Sequence, residues 1–208
     1  MAIRTVAFDI IGTLFSLDKV RAELPADGLE KWFAGGLRDY FSISHSGAYT
    51  PLADVLRATL PPDADAERVM SAFRSLDPAP EAEDAIHRFG EQDTKVLALT
   101  NGSEELTRGL LERVGLDEHF AALLSCDSIQ ISKPHPRVYA LARDLAEGEL
   151  WMAASHPWDI AGAARAGLLT AWISEGRGAY PGIFPAPDIV ASGLGVAAGE
   201  ILAYGIGR

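Results

Sequence analysis

The sequence lacks the features that mark secreted, disulfide-rich or membrane-embedded chains. Cys126 is its single cysteine, so no intrachain disulfide can form, as is typical of a reducing compartment. No apolar run reaches about 18 residues, the length that a membrane-spanning helix requires. The N-terminal stretch also lacks the apolar core and cleavage site of a secretory signal. These absences predict a soluble, cytoplasmic protein without a membrane partner.

Basic residues are also scarce. The chain has 18 Lys and Arg against 29 Asp and Glu, and its formal net charge is -11. Binding to a phosphate backbone requires a basic face, so the composition argues against a nucleic-acid partner. At 208 residues and 48% hydrophobic content, the chain can hold one sizeable core with a small inserted domain. Composition does not fix the oligomeric state, and a homodimer is one arrangement that it allows.

Short apolar segments recur along the chain, and most are followed by a polar turn and a helical pattern. They are TVAFD, VLALTNGS, ALLSCD, LWMAASH, LTAWIS and, near the end, DIVA. Strands that alternate with helices are typical of βαβ units, and they predict an α/β fold with a doubly wound, Rossmann-like parallel sheet. One intervening helix is predicted over 136–148, because Pro136 suits a first helical position and Gly148 suits the end of a helix.

The segment from 16 to 83 has a different pattern. It carries helical periodicity with few strand candidates, and it ends in LDPAPEAED, whose two prolines indicate a hinge. We therefore predict a core domain formed by residues 1–15 and 84–208. A helical cap domain, residues 16–83, interrupts this core just after its first strand.

Polar residues follow four of the predicted strands, at the edge where doubly wound sheets bind their ligands. In chain order they are Asp9, Thr13, Thr100, Asn101, Gly102, Lys133 and Asp159. An ionised carboxylate at the end of an apolar strand is costly unless partners compensate it. Two carboxylates, a lysine and a hydroxyl at one sheet edge suit attack on a substrate by a carboxylate nucleophile.

The motifs DIIGTLF, LTNGS, SKPHPRVY and HPWDIAGA resemble, in this order, the four motifs of the haloacid dehalogenase superfamily. The resemblance is strongest to its L-2-haloacid dehalogenase branch, and the predicted insertion lies where that family has its helical cap. It implies that Asp9 attacks the substrate and forms a covalent ester or acyl phosphate, which water then hydrolyses. It also implies that Lys133 keeps Asp9 ionised and that Asp159 positions the water, or a metal.

The resemblance also implies a set of substrate contacts. The hydroxyls of Thr13 and Thr100, with the backbone N–H groups of the TNGS turn, would orient carboxylate oxygens or a bound anion. Asn101 and Gly102 would contact the substrate, together with Ile11, His156 and Trp158, which complete the candidate set. For Trp158 the competing interpretation is packing. His156 is open to a role as a base or as a structural residue.

Ile11 bears on the type of reaction. Phosphatases of this superfamily carry a second aspartate two residues after the nucleophile, and it protonates the leaving alkoxide. Such general acid catalysis is worth typically about 100- to 10,000-fold. Isoleucine cannot donate a proton, whereas a halide leaves without one. The sequence therefore favours dehalogenation of a small organic acid, a 2-haloacid or related compound, without a required metal.

Departures from the family pattern leave two alternatives open. Phe33 stands about where the family's cap has an arginine for the substrate carboxylate or halide. Ala154 and His156 replace a serine and an asparagine of the fourth motif. One alternative is a Mg²⁺-dependent small-molecule phosphatase, with Asp9, Asp159 and the Ile11 carbonyl as oxygen ligands. The other is a non-catalytic binder of a small molecule or a protein.

Overall fold

A computed structural model of the chain describes residues 3–205, and this range contains six β-strands and nine α-helices. The strands are β1 (Arg4–Phe8), β2 (Lys95–Thr100), β3 (Phe120–Ser125), β4 (Glu149–Ala154), β5 (Leu169–Ile173) and β6 (Ile189–Ala191). The helices are α1 (Asp18–Ala22), α2 (Gly28–His45), α3 (Leu52–Ala58), α4 (Ala66–Phe73), α5 (Ala82–Gly90), α6 (Glu104–Arg113), α7 (Pro136–Arg143), α8 (Pro157–Arg165) and α9 (Leu194–Ala203). Each of the six predicted strand segments overlaps one of these strands.

All six strands form one parallel sheet in the order β3-β2-β1-β4-β5-β6. The strand β1 lies in the middle, with Ala7 opposite Leu97 of β2 and Met152 of β4. The order of the strands reverses at β1, so a crevice forms beyond its carboxyl end. This confirms the predicted doubly wound α/β class and places Asp9, the residue after β1, at the switch point of the sheet.

Helices cover both faces of the sheet, which explains why β1 is apolar throughout. Val6 and Phe8 point to one face, where the Phe8 ring packs edge-on against Phe89 at a centroid distance of 5.7 Å. Ala7 points to the other face and belongs to the same buried cluster as Tyr139 of α7. A strand buried on both faces has no solvent-exposed side, so it does not show the alternating pattern of a half-buried strand.

The helices α1 to α4 form the insertion between β1 and α5, and they pack largely against one another. Aromatic rings of α2 and α4 form their core, with Trp32 and Phe33 at 6.3 and 6.5 Å from Phe73. At the base of the insertion, Phe15 and Pro78 form a backbone bridge. The two connections to the sheet therefore lie side by side, as a hinge requires.

The division into a core and a cap stays a prediction, and the structure bears on its limits. The helix α5 begins at Ala82 and packs on β2 and α9 of the core. Residues 82 and 83, the last two of the predicted cap, therefore belong to a helix that packs on the core. Residues 1–2 and 206–208 of the predicted core lie outside the described part of the chain. Within residues 3–205, no helix combines the length and apolarity needed to cross a bilayer.

Gly148 does not end a helix, contrary to the sequence prediction. The helix α7 begins at Pro136 as predicted but ends at Arg143, and Gly148 lies immediately before β4. Gly148 has φ +68°, and an added Cβ would overlap the carbonyl oxygen of Ile3. That carbonyl accepts the hydrogen bond of Glu149 N at 3.0 Å. The prediction was wrong because a glycine at a helix end and a glycine at a tight strand start look alike in sequence.

Replacement of Gly148 by alanine should therefore destabilise the fold. The left-handed backbone and the overlap with Ile3 should together cost about 2 kcal/mol or more of unfolding free energy. The matched control is Gly109→Ala in α6, where an added Cβ meets nothing within 4 Å. That control should gain about 0.5–1 kcal/mol from helix propensity. Urea denaturation measures both, and a Gly148→Ala protein as stable as the wild type would contradict this account of the glycine.

Candidate active site

Three charged side chains meet in a buried cluster at the carboxyl edge of the sheet. Lys133 Nζ lies 3.0 Å from Asp9 Oδ1 and 2.7 Å from Asp159 Oδ2. The side chains of Lys133 and Asp159 are 0% exposed, and that of Asp9 is 6% exposed. Asp9 follows β1, Lys133 lies in the loop before α7, and Asp159 is in the first turn of α8. The structure thus brings together residues from three of the sequence motifs.

Further hydrogen bonds fix the second oxygen of Asp9. Thr13 Oγ1 donates to Asp9 Oδ2 at 2.7 Å and accepts from Ser155 N at 3.0 Å. The carbonyl oxygen of Ser155 in turn accepts from Trp172 Nε1 at 3.0 Å. Thr13 therefore links the Asp9 carboxylate to the connection between β4 and α8, and both carboxylate oxygens have a donor.

Tyr139 holds Asp159, and the sequence interpretation did not assign it to the site. Its hydroxyl donates to Asp159 Oδ1 at 2.7 Å. Gly162 in α8 leaves room for this phenol, because an added Cβ there would overlap the hydroxyl. A signal was present in the sequence, since Tyr139 lies in the SKPHPRVY motif six positions after Lys133 and α7 begins between them at Pro136.

The environment separates the pKa values of the two aspartates. Burial raises the pKa of Asp9, but Lys133, His156 and the Thr13 hydrogen bond outweigh it and hold this pKa below its ordinary value. For Asp159, burial outweighs the attraction of Lys133, repulsion from Asp9 adds to it, and the pKa is raised. Burial lowers the pKa of Lys133, yet the two carboxylates hold it above its ordinary value. Such a pair suits two roles, with Asp9 as an ionised nucleophile and Asp159 as a proton acceptor.

A cavity of about 20 Å³ adjoins Asp9. Its lining is Asp9, Ile11, Phe33, Leu37, Leu52, Thr100, Asn101, Gly102, His156 and Trp158. Six of the seven residues predicted to contact or orient a substrate are in this lining, and Thr13 is not. Phe33, Leu37 and Leu52 come from the inserted helices and make this side of the cavity apolar. Phe33 is the residue that stands where the resemblance implies an arginine, and the lining contains no lysine or arginine.

Asn101 is the neutral polar group best placed for a ligand. Its Oδ1 accepts from Lys133 N at 3.0 Å and from Cys126 Sγ at 3.1 Å, which fixes the amide and leaves the side-chain NH₂ group as a donor. Gly102 N donates to Thr100 Oγ1 at 2.9 Å. This backbone N–H is therefore occupied within the turn, and orientation of an anion by the N–H groups of the TNGS turn stays a prediction.

His156 and Trp158 have both structural contacts and a place in the cavity wall. His156 Nε2 lies 3.1 Å from the Ile11 carbonyl oxygen and 3.7 Å from Asp9 Oδ2. The two rings stack on each other with centroids 5.2 Å apart, and the Trp158 ring packs against Phe41 of α2 at 4.9 Å. Trp158 therefore packs between α8 and the inserted helices, as the packing interpretation expects.

The oxygens proposed as magnesium ligands do not fit a metal ion in this arrangement. Both carboxylate oxygens of Asp9 and both of Asp159 accept hydrogen bonds, two of them from the Lys133 ammonium group. The Ile11 carbonyl oxygen faces His156 Nε2. A divalent cation would have to displace these donors and to lie beside the ammonium charge. Among residues 3–205, no group of three or more His, Cys, Asp or Glu side chains is arranged to hold a metal.

The chain is similar to several known proteins along most of its length. Residues 3–167, well over half of the chain, match a family described as haloacid dehalogenase-like hydrolase. The (S)-2-haloacid dehalogenase of Pseudomonas sp. (strain YL) is 28% identical over 211 residues, which cover 89% of this chain and 89% of that protein. Haloacetate dehalogenase H-2 of Moraxella sp. (strain B) is 24% identical, over 89% of this chain and 92% of its own length.

Solved structures show the same fold. The L-2-haloacid dehalogenase of Xanthobacter autotrophicus, with chloropropionic acid covalently bound, superposes with a TM-score of 0.83 at 23% identity. The superposition covers 97% of this chain and 99% of that one. The likeness therefore extends through the inserted helices as well as the sheet.

Removal of the Lys133 charge should destabilise the protein in a pH-dependent way. Lys133→Met leaves two buried carboxylates without a cation, which should cost about 3–5 kcal/mol at pH 7. In the wild type, the lowered pKa of Asp9 contributes stability above the ordinary carboxyl range and loses it as the pH falls. In the Lys133→Met variant the pKa values of Asp9 and Asp159 should both rise, so that a proton can neutralise one of the two carboxylates at pH 5. The loss of unfolding free energy relative to the wild type should therefore be smaller at pH 5 than at pH 7.

Urea denaturation at both pH values measures this deficit. The matched control is Lys19→Met, since Lys19 pairs with Asp77 at 2.7 Å but is 41% exposed. An exposed pair is worth about 0–1 kcal/mol and should show little difference between the two pH values. An equal loss for Lys133→Met at pH 7 and pH 5 would show that the buried charges are not the cause.

Proposed function

The chain belongs to the haloacid dehalogenase-like hydrolase family, and on that premise we propose that it hydrolyses the carbon–halogen bond of a small organic acid, a 2-haloacid or related compound. The observation that carries this proposal is the buried cluster of Asp9, Lys133 and Asp159, with Asp9 beside a cavity that is apolar on the side of the inserted helices. The related proteins named as (S)-2-haloacid and haloacetate dehalogenases support it. So does the covalently bound chloropropionic acid of the similar Xanthobacter structure.

In the first step, an oxygen of Asp9 attacks the carbon that carries the halogen. A carbon–oxygen bond forms, the carbon–halogen bond breaks, and the halide leaves with the bonding electron pair. The lowered pKa of Asp9 keeps the nucleophile ionised. Because a halide needs no proton, Ile11 can occupy the place next to the nucleophile without loss of rate. The inserted helices keep water from competing with the attack.

In the second step, water attacks the carboxyl carbon of the Asp9 ester. Asp159, whose pKa is raised, accepts the proton of this water. Lys133 and Thr13 donate to the Asp9 oxygens in the structure, and they are placed to stabilise the negative charge that develops there. The bond between the Asp9 carboxyl carbon and the substrate oxygen then breaks, this oxygen takes the proton from Asp159, and the hydroxy acid leaves. Asp9 keeps one oxygen from water, and Asp159 is ionised again. Tyr139 acts as a positioning residue, because it orients Asp159.

The substrate carboxylate must be recognised without an arginine in the cavity wall. Phe33 occupies the expected position, while Arg38 is exposed and pairs with Asp39 at 2.8 Å. We assign the contact to the Asn101 amide and the His156 ring, two of the three side chains of the lining that carry an N–H group. The third, the Trp158 indole, packs its ring against Phe41. Neutral donors bind a carboxylate less strongly than a bidentate guanidinium does. We therefore expect this site to select acids over uncharged analogues less strongly than a site with an arginine would.

This reaction requires no metal, because the Lys133 ammonium group supplies the positive charge beside the Asp9 and Asp159 carboxylates. A non-catalytic binder is disfavoured because buried charges are expensive to keep without a use. Cytoplasmic location and homodimerisation stay predictions.

Isotope labelling tests the nucleophile directly. A single turnover of a 2-bromo acid in heavy-oxygen water should place the label in the peptide that contains Asp9, because water attacks the enzyme's own carboxyl carbon. Peptide mass spectrometry detects it. Turnover that leaves Asp9 unlabelled would rule out the ester intermediate.

A pair of aspartate variants tests the same assignment by rate. Asp9→Asn should lose at least about a thousandfold in halide release, because the amide is a far weaker nucleophile. Asp63→Asn, at an exposed position of the inserted segment, is the matched control and should keep full activity. Circular dichroism should show both proteins folded.

A substrate screen separates the two enzymatic hypotheses. Halide release from 2-halo acids should be unchanged by a chelator or by added Mg²⁺, since no step uses a metal. Phosphate release from phosphate esters that depends on Mg²⁺ would favour the phosphatase instead. Inactivity on both classes would favour a binder.

A further inference from the structure

A groove of about 620 Å³ runs beside the catalytic cavity, between α3 and α4 on one side and α6 on the other. Most of its lining is apolar: Ile11, Leu52, Ala53, Leu56, Met70 and Phe73, with Leu106 and the glycines of α6 and the TNGS turn. The proposed reaction at Asp9 does not account for this surface.

The groove adjoins the cavity over the nucleophile. Ile11, Leu52 and Gly102 line both spaces, so the two meet at a neck formed by these residues. The neck is apolar, because Ile11 stands where a phosphatase would have a carboxyl group. It is also narrow, since a Cβ added to Gly102 would lie 3.1 Å from Ile11 Cδ1. An alkyl chain therefore cannot pass between Gly102 and Ile11, and the route left to it toward Asp9 lies between Ile11 and Leu52.

The sizes of the two spaces indicate what each can hold. The cavity of about 20 Å³ suits only the reacting centre of a substrate, since a site for one water needs roughly 10–15 Å³. The groove of about 620 Å³ lies within the range of small-molecule sites, roughly 300–1,000 Å³. A substrate with more than a short side chain must extend into the groove.

The charges of the groove do not favour an ionic ligand. Its four charged residues are exposed and consist of two arginines and two glutamates: Arg74, Glu105, Arg108 and Glu112. Arg108 pairs with Glu104 at the next turn of α6. Because the exposed charges are of both signs and most of the remaining lining is apolar, the groove suits an uncharged alkyl chain.

We propose that this groove binds the alkyl tail of the substrate, so that the preferred substrate is a medium-chain 2-halo acid rather than a haloacetate. This inference rests on the proposed dehalogenation, and it adds the class of substrate to it. The reacting carbon lies at Asp9, the tail passes between Ile11 and Leu52, and it contacts Leu56, Phe73 and Leu106.

A chain-length series tests the proposal. We compare kcat/KM for halide release from 2-bromopropionate, 2-bromohexanoate and 2-bromooctanoate. Each added methylene should raise kcat/KM by about two- to fourfold in the wild type, as burial of a methylene predicts. A flat or falling profile, with 2-bromopropionate still turned over, would overturn the groove proposal and leave the proposed function intact.

A groove-filling variant locates the effect. Gly109 lies on the groove side of α6, and an added Cβ meets nothing within 4 Å, so Gly109→Phe should fold and fill the groove. It should lower kcat/KM for 2-bromooctanoate by about tenfold or more, the gain of two or more methylenes, and leave that for 2-bromopropionate within about twofold. The matched control is Gly35→Phe in α2, which is equally free of close neighbours and outside the groove. Equal effects of both variants on both substrates would contradict the assignment.

Direct binding separates failure of the groove from failure of the function. If no chain length gives halide, the proposed dehalogenation is wrong, and calorimetry with the wild type then tests the groove alone. Tighter binding of 2-bromooctanoate than of 2-bromopropionate, lost in Gly109→Phe, would support the groove. Equal affinities would overturn it.

Discussion

The interaction on which the site depends is the contact of one buried ammonium group with two buried carboxylates. Lys133 lies within 3.0 Å of Asp9 and 2.7 Å of Asp159, and none of the three side chains is more than 6% exposed. Without the cation, two carboxylates could not stay ionised so close together in a dry environment. The same contact helps to lower the pKa of Asp9 and so keeps this buried carboxylate ionised. Burial and repulsion from Asp9 raise the pKa of Asp159 in spite of Lys133.

The sheet topology makes this contact possible. Lys133 is 124 residues from Asp9 and 26 residues from Asp159 along the chain. The strands β1 and β4 are neighbours and are followed by Asp9 and Asp159, while Lys133 follows β3, two strands away from β1. Because all the strands are parallel, the segments that follow them arrive at one edge. Thr13 and Tyr139 then hold the outer oxygens of the two carboxylates. Each carboxylate oxygen thus has a donor in place, and fixed donors are what electrostatic stabilisation of a developing charge requires.

The inserted helices decide which substrates can reach this cluster. Phe33, Leu37 and Leu52 cover the nucleophile with an apolar surface, and Leu52 continues into the groove beside α6. The aromatic contacts of Trp32 and Phe33 with Phe73 hold this surface in place. An apolar cover suits displacement of a halide, because that step needs neither a proton donor nor a metal. With this cover, neutral N–H donors and not a cation bind the substrate carboxylate, and apolar side chains contact its alkyl chain.

Much of the fold could be predicted because its signals are local. Each strand segment is apolar along its own length, and Asp9, Thr13, Asn101, Lys133 and Asp159 stand at strand ends that a short motif identifies. Other features depend on residues that are distant in the chain, and no local pattern encodes them. Tyr139 matters only because α7 places its hydroxyl 2.7 Å from Asp159, and Gly148 is required only because Ile3 approaches its Cα. The opposite pKa shifts of two like residues, and the groove between α3, α4 and α6, arise from distances and burial, which exist only once the chain has folded.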